Sequence, residues 1–202
     1  MIRFASKTEA ANIANLHKST ITKGFLSKLG PGFLESLYLF LIKKELVFVH
    51  LEESTITGYV SFSYNSSNLM KMFLFKSPDG LVKLFGLMLT SPILIKEVLE
   101  TFIAPFKLKS VNSSNSKENL PNAELLSISV DSNSQRSGIG KQLLKSLENK
   151  FIERGINKYK VIAGVSLESA NKFYLKNGFV LASQVTIHGK DLSNIYVKEL
   201  VF

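Results

Sequence analysis

The stretch SVDSNSQRSGIGKQLL, residues 129–144, sets Gly138 and Gly140 around one isoleucine and follows them with Lys141. Glycines let backbone approach a ligand, and the outward N–H groups at the start of a helix attract an anion. Arg136 and Lys141 add positive charge. The chemistry such a loop offers is phosphate binding. A loop for a magnesium-bound triphosphate needs Gly-x-x-x-x-Gly-Lys-Ser/Thr. Here Gln135 stands at the first glycine and Gln142 at the hydroxyl position, so the match fails twice. A dinucleotide fingerprint needs a third glycine, and Leu143 occupies that place. What remains suits a pyrophosphate held without a metal. A plain strand-to-helix turn, tightened by glycine, accounts for the pair about equally well.

Other reactive residue types narrow the chemistry further. There is no cysteine, which excludes disulfides, thiolate metal sites and a cysteine nucleophile. The three histidines, His17, His50 and His188, are isolated, and no pair has metal-ligand spacing. His188 falls in a closing hairpin turn. His50 ends a strand and can face an acceptor, although a structural role is the simpler account.

These residues need elements to position them. "IRF" reads as a first strand, and Ser6 with Glu9 forms a capping box that starts a helix with Ala10, Ile13, Ala14 and Leu16 inward. Pro31–Gly32 introduces a second helix, "FLESLYLFLIKK". "ELVFVHLEESTITGYVSFSYN" is a hairpin about a short polar turn. Residues 66–107 read as short apolar helices broken at Pro78–Gly80 and at Pro92, an insertion between the third and fourth strands. Residues 108–122 are Ser/Asn-rich and are expected to form a flexible loop. "AELLSISV" is a central strand. Ile139, Leu143, Leu144, Leu147 and Phe151 repeat at helical spacing, with Gly155 at the C-terminal end. "KYKVIAGV", the helix "SANKFYLKNGF" and a hairpin complete the chain. The expectation is one α/β (α+β) domain over residues 1–202, carrying the 66–107 insertion and the 108–122 loop.

With these elements in order, VDSNSQRSGIGKQLL resembles motif A of the GNAT acetyltransferase superfamily, Gln/Arg-x-x-Gly-x-Gly/Ala, matched by Gln135, Gly138 and Gly140. "SANKFYLKNGF" is similar to the family's second motif, Phe-Tyr followed by Gly-Phe. The resemblance covers residues 1–65 and 123–202, with the second part the stronger. It implies the GNAT fold: a central, mixed, mostly antiparallel twisted sheet flanked by helices. It also implies acetyl-coenzyme A as cosubstrate, with no metal. Gln135, Arg136, Ser137, Gly138, Ile139, Gly140 and Lys141 would wrap the pyrophosphate. Backbone groups of Ile128 and Val130 would pair with the pantetheine arm. Many members carry an asparagine where Leu167 stands; Asn171 occurs in another version of the motif and is the alternative coenzyme contact, or else an exposed helix residue.

The reaction so implied is direct acetyl transfer to an amine, with a base to take the amine's proton and an acid to protonate the departing thiolate. Tyr174 is the expected acid, since a phenol with a reference pKa of about 10 is protonated at neutral pH. Glu124, eleven residues before Gln135, has the spacing of the catalytic glutamate of histone-acetyltransferase-like members and is the candidate base. Tyr38 and Glu35 are candidates for the acceptor groove. "FLSKLGPGFLESLY" with the apolar block after it resembles members that modify surface polysaccharide or amino sugars. That points to a small primary amine, such as a nucleotide-linked amino sugar. Protein or peptide N-acetylation, and a non-catalytic coenzyme A sensor, are the other readings.

Composition agrees with an anionic ligand. Net charge is +9 and the pI about 9.6, but the lysines are scattered, so no nucleic-acid partner is expected. The N-terminus has no apolar signal region, and the longest uncharged run in 81–106, between Lys83 and Lys96, is too short for the roughly 20 residues of a membrane span. A cytoplasmic enzyme is expected. The inserted helices are left open as core, lid, peripheral membrane contact or homodimer face.

Overall fold

Among the described residues seven strands share one sheet. The computed structural model describes residues 1–23, 25–80, 82, 86, 120–186 and 192–201. In chain order these form β1 (Ile2–Phe4), α1 (Ala10–Thr20), the short α2 (Phe25–Lys28), α3 (Pro31–Ile42), β2 (Val47–Glu52), β3 (Thr55–Ser63) and α4 (Leu69–Lys76). There follow β4 (Glu124–Val130), α5 (Ile139–Glu153), β5 (Lys158–Gly164), α6 (Glu168–Lys176), β6 (Val180–Thr186) and β7 (Leu192–Glu199). The sheet order is β1-β2-β3-β4-β5-β7-β6. Only β4 and β5 run parallel; the other neighbours are antiparallel. The mixed, mostly antiparallel sheet matches the expected class, with β4 fourth of seven.

The helices begin where the sequence signals. Ser6 and Glu9 make the reciprocal capping box, followed by one 3-10 turn before α1. Glu9 also pairs with Arg3 at 2.7 Å, fastening β1 to α1. That guanidinium, together with the Ser6 bonds, holds the Glu9 carboxyl down at about 2. Pro31 sits in the first turn of α3, where its missing N–H costs nothing.

The two sheet faces are covered by different helices. A Cβ placed on Gly58 of β3 would lie 3.1 Å from Ile139 and Leu143 of α5. The next residue, Tyr59, bonds instead to side chains of α1 and α3. Successive strand residues point to opposite faces, so α5 covers one face and α1 with α3 the other. On the α5 face, Phe62, Phe151, Tyr159 and Phe179 meet in sequence in edge-to-face and tilted contacts, with ring centroids 5.1–5.6 Å apart.

Of the insertion expected at 66–107, the described part is a 3-10 turn, α4 and a helical segment at 78–80, between β3 and β4 as anticipated. Its remainder lies outside the described residues, as do His188 and most of 108–122. The last residues of that loop are fastened: the Asn122 carbonyl accepts from the Ser66 N–H at 3.0 Å, and the Pro121 carbonyl from Lys160 at 2.5 Å. Among the described residues no helix is long and apolar enough to cross a membrane.

Candidate active site

The central feature is a break in the sheet. β4 and β5 pair only at Glu124 with Lys160 and Leu125 with Val161. Beyond that point β4 keeps its partner β3 as far as Val130, and β5 keeps β7 as far as Gly164. Their facing edges, residues 126–130 and 162–164, therefore diverge into a wedge lined by backbone N–H and C=O groups without a partner strand among the described residues. Buried or half-buried backbone groups need partners, and these edges leave theirs to solvent or to a further extended chain. Sequence reading placed Ile128 and Val130 on this edge, but nothing in two apolar strands announces that they separate.

The glycine loop closes the wide end of the wedge. Asp131 leaves β4 with its N–H on the Thr57 carbonyl at 2.8 Å and its side chain capping a 3-10 turn. Gln135 donates its amide to the Val130 carbonyl at 3.2 Å, and Ser137 its hydroxyl to the Ser134 carbonyl at 2.5 Å. Arg136 and Gly138 both take positive φ, 64° and 86°. For Arg136 this is uncommon backbone that the turn must impose. Gly138 caps α5 without a side-chain bond, and the first helical N–H to find an acceptor is that of Gln142, on Gly138. The N–H groups of Ile139, Gly140 and Lys141 thus face outward at the positive end of the helix. Gln135, Arg136, Ser137 and Lys141 have exposed side chains. Ile139 turns its side chain into the core beside Gly58, leaving its backbone to the loop. Gly140 lies under Phe173 of α6, where an added Cβ would come within 3.3 Å of the ring.

Tyr174 stands on α6 with its ring packed against Phe173, Phe179 and Tyr196 at 5.3–6.0 Å. Burial pushes its phenol well above the usual range, and the electrostatic influence of Tyr59 adds to this. Its hydroxyl has no hydrogen-bond partner among the described residues and so is available to donate. Asn171 is differently placed from the expectation of a coenzyme contact. Its amide nitrogen donates to the carbonyls of Gly164, Val165 and Leu167, and its oxygen accepts from Asn194 and Tyr196. Both ends are used inside the protein, where they brace the β5–α6 turn. Glu124 opens β4 at the narrow end of the wedge, and its carboxylate lies 3.4 Å from the Lys160 ammonium. The expected base is therefore an ion-paired group where the strands are still joined. His50 bonds Thr57 through Nδ1 at 2.7 Å, a structural tie between β2 and β3. Glu35 faces solvent.

A second set of polar groups, on the α1/α3 face, was not assembled from the sequence. His17 Nδ1 lies 2.6 Å from the Tyr38 hydroxyl and 2.9 Å from that of Tyr59. Tyr38 donates to Tyr59 at 3.0 Å, and Tyr59 lies 2.8 Å from Ser127 Oγ. Burial pushes His17 down to about 4, so it is neutral at neutral pH, and pushes both phenols up. His17 Nε2 is buried with no partner among the described residues. One signal was present: His17 continues the inward Ala10, Ile13, Ala14 face of its helix. No group of residues suited to a metal ion occurs among the described ones.

The comparisons agree with this arrangement. Residues 109–181 match the family model described as the acetyltransferase (GNAT) domain. These residues, which hold β4 to α6, are similar to that domain. The fold is similar to that of solved acetyltransferase structures across nearly the whole chain. Ard1 from Thermoplasma volcanium superposes with a TM-score of 0.64 at 14% identity, covering 100% of this chain and 98% of that one. PaiA N-acetyltransferase from Thermoplasma acidophilum, solved with coenzyme A, gives 0.59 at 15%, with 98% of each chain covered. A chain of the NatC complex bound to Gag peptide and coenzyme A gives 0.61 at 10%, covering 100% and 98%. No curated protein matches the sequence.

Proposed function

We propose that this GNAT domain transfers the acetyl group of acetyl-coenzyme A directly to the primary amine of a small molecule. The observation that carries the reading is the opening between β4 and β5, followed in the chain by the Gln135–Lys141 loop and by Tyr174 on α6. The pantetheine arm fits as an extra strand along Ile128 and Val130, and the pyrophosphate fits the outward N–H groups of Ile139 to Lys141 with Arg136 beside them. The chain's residues bind and orient the thioester, and Tyr174 supplies the proton to the departing thiolate. Glu124 is the carboxylate in the family's base position. The whole chain, 1–202, acts as one domain, without a metal and in the cytoplasm. A nucleotide-linked amino sugar suits the net charge of +9.

Peptide amines are the second reading, favoured by the similarity to the NatC chain, whose complex was solved with a peptide. The test is thiol release from acetyl-coenzyme A with a panel of amino sugars, nucleotide-linked amino sugars and N-terminal peptides, alongside coenzyme A binding by calorimetry. Release with sugars alone supports the first reading and with peptides alone the second. Binding without release on every acceptor would identify a sensor module instead.

A further inference from the structure

The hydrogen bonds of Asn171 bear on Tyr174. Both residues lie on α6, three positions apart, and side chains at that spacing share a helix face. The Tyr174 ring is held by Phe173, Phe179 and Tyr196. Such packing is non-directional and does not by itself fix the turn of the helix about its axis. Asn171 supplies the direction. Its amide donates to the Gly164, Val165 and Leu167 carbonyls, where β5 ends, at 3.0, 3.3 and 2.8 Å. Its oxygen accepts from Asn194 and from the Tyr196 hydroxyl, both at 2.9 Å. Those two partners stand on β7 and are 8% and 3% exposed. The Asn194 oxygen in turn accepts the Gln184 amide of β6 at 2.8 Å. One side chain thus ties α6 to the end of β5 and to β7, with both of its polar atoms satisfied. A buried polar network that is fully paired rigidifies one arrangement. Tyr196 takes part twice, with its ring against Tyr174 and its hydroxyl on Asn171.

We propose that Asn171 and Tyr196 are positioning residues that aim the Tyr174 hydroxyl at the departing thiolate. This rests on the reading of Tyr174 as the acid of an acetyl transfer. A general acid must stand within hydrogen-bond reach of the atom it protonates, and a misplacement of about 1 Å costs about 100-fold in rate. The Tyr174 hydroxyl has no partner of its own among the described residues, so its direction is set by the helix that carries it and the rings beside it. Asn171 fixes the helix, and Tyr196 links that bond network to the ring. The hydrogens of the Asn171 amide are taken up by three carbonyls of the chain itself. Its effect therefore falls on the chemical step and not on coenzyme affinity.

Thiol release from acetyl-coenzyme A with the amine panel tests this. Tyr196→Phe keeps the ring against Tyr174 and removes one bond to Asn171. It is expected to lower kcat by about 10-fold, and Asn171→Ala by about 100-fold. The coenzyme A Kd, measured by calorimetry, should stay unchanged in both. The deciding readout is a double variant. In a Tyr174→Phe background there is no proton left to aim, so adding Tyr196→Phe should change kcat by less than about 2-fold. An equal fall in both backgrounds marks the network as merely structural and overturns the proposal. Wild-type kcat in Tyr196→Phe and Asn171→Ala overturns it too. So does weaker coenzyme A binding in either variant, which would return Asn171 to the coenzyme site or to a purely structural part. Should Asn171→Ala fail to fold, Tyr196→Phe decides alone. All of these outcomes leave the acetyltransferase reading intact. Wild-type kcat in Tyr174→Phe removes the acid and the proposal with it, and no thiol release by wild-type protein with any acceptor overturns both proposal and reading.

Discussion

At the scale of single residues, burial decides what each titratable group does. Tyr174 lies among three aromatic rings, and burial favours its neutral phenol. The proton it would donate is therefore retained at high pH. Wild-type kcat is expected to show no alkaline fall through pH about 10, where an ordinary tyrosine ionises. Tyr174→Phe should lower kcat by about 100-fold or more with coenzyme A affinity unchanged, measured by thiol release and calorimetry. His17 gives the opposite sign in stability. Its folded value is about 4, against a reference of 6.5. Between those values the unfolded chain binds a proton that the folded chain refuses, so stability falls as pH drops from 6.5 to 4. The loss amounts to about 3 kcal/mol at the lower end. Urea midpoints measured across that window should fall for the wild type and much less for His17→Gln. Neither effect was visible in the sequence, where His17 and Tyr174 differ from any other histidine or tyrosine only by neighbours as much as 115 residues away.

At the scale of elements, the site depends on how closely α5 lies on β3. Gly58 makes that approach: an added Cβ would meet Ile139, Leu143 and the Ser129 carbonyl, each at 3.1 Å. The backbone carbonyl cannot rotate away, so Gly58→Ala must lift the first turn of α5 from the sheet. The expected cost is about 1–3 kcal/mol in unfolding free energy, with weaker coenzyme A binding because the same turn presents the loop's N–H groups. Gly138→Ala acts differently. Open space surrounds the position, but φ is 86°. A side chain there costs about 1–2 kcal/mol of backbone strain, or shifts the cap. Coenzyme A titration of both variants should show weakened binding, with Gly58→Ala the less stable in thermal melts. The elements themselves were largely legible, because helix caps, periodicity and turn residues are local. Ser6 with Glu9, Pro31, and the Ile139 to Phe151 spacing each predicted a helix in its observed place. The loop motif was legible too. The close contact of Gly58 with α5 was not, since it joins residues about 80 positions apart.

At the scale of the whole molecule, the sheet is two sheets held by one short seam. β1 to β4 form one half and β5 to β7 the other, joined by the two β4–β5 residue pairs and braced below them by Lys160 with Glu124, Ser66 and Pro121. Sequence patterning could not reveal this, because an apolar strand reads the same whether its edge is paired or open. The division has an energetic consequence. Filling the wedge with a chain that bonds to both edges should fasten the halves together, so ligand binding and global stability are linked. At about 100 times its Kd, a ligand that binds only the folded state adds about 2.7 kcal/mol. For a chain of this size that is a rise in Tm of about 5–10 °C. Coenzyme A should produce such a shift, and amide exchange should slow chiefly in residues 126–130 and 162–164 and at the start of α5. Pantetheine, lacking the pyrophosphate, should protect the strand edges but leave the α5 amides exchanging freely. Coenzyme A protection confined to α5 would mean that the ligand is held by its phosphates alone, and the strand-like placement of the pantetheine arm would be wrong.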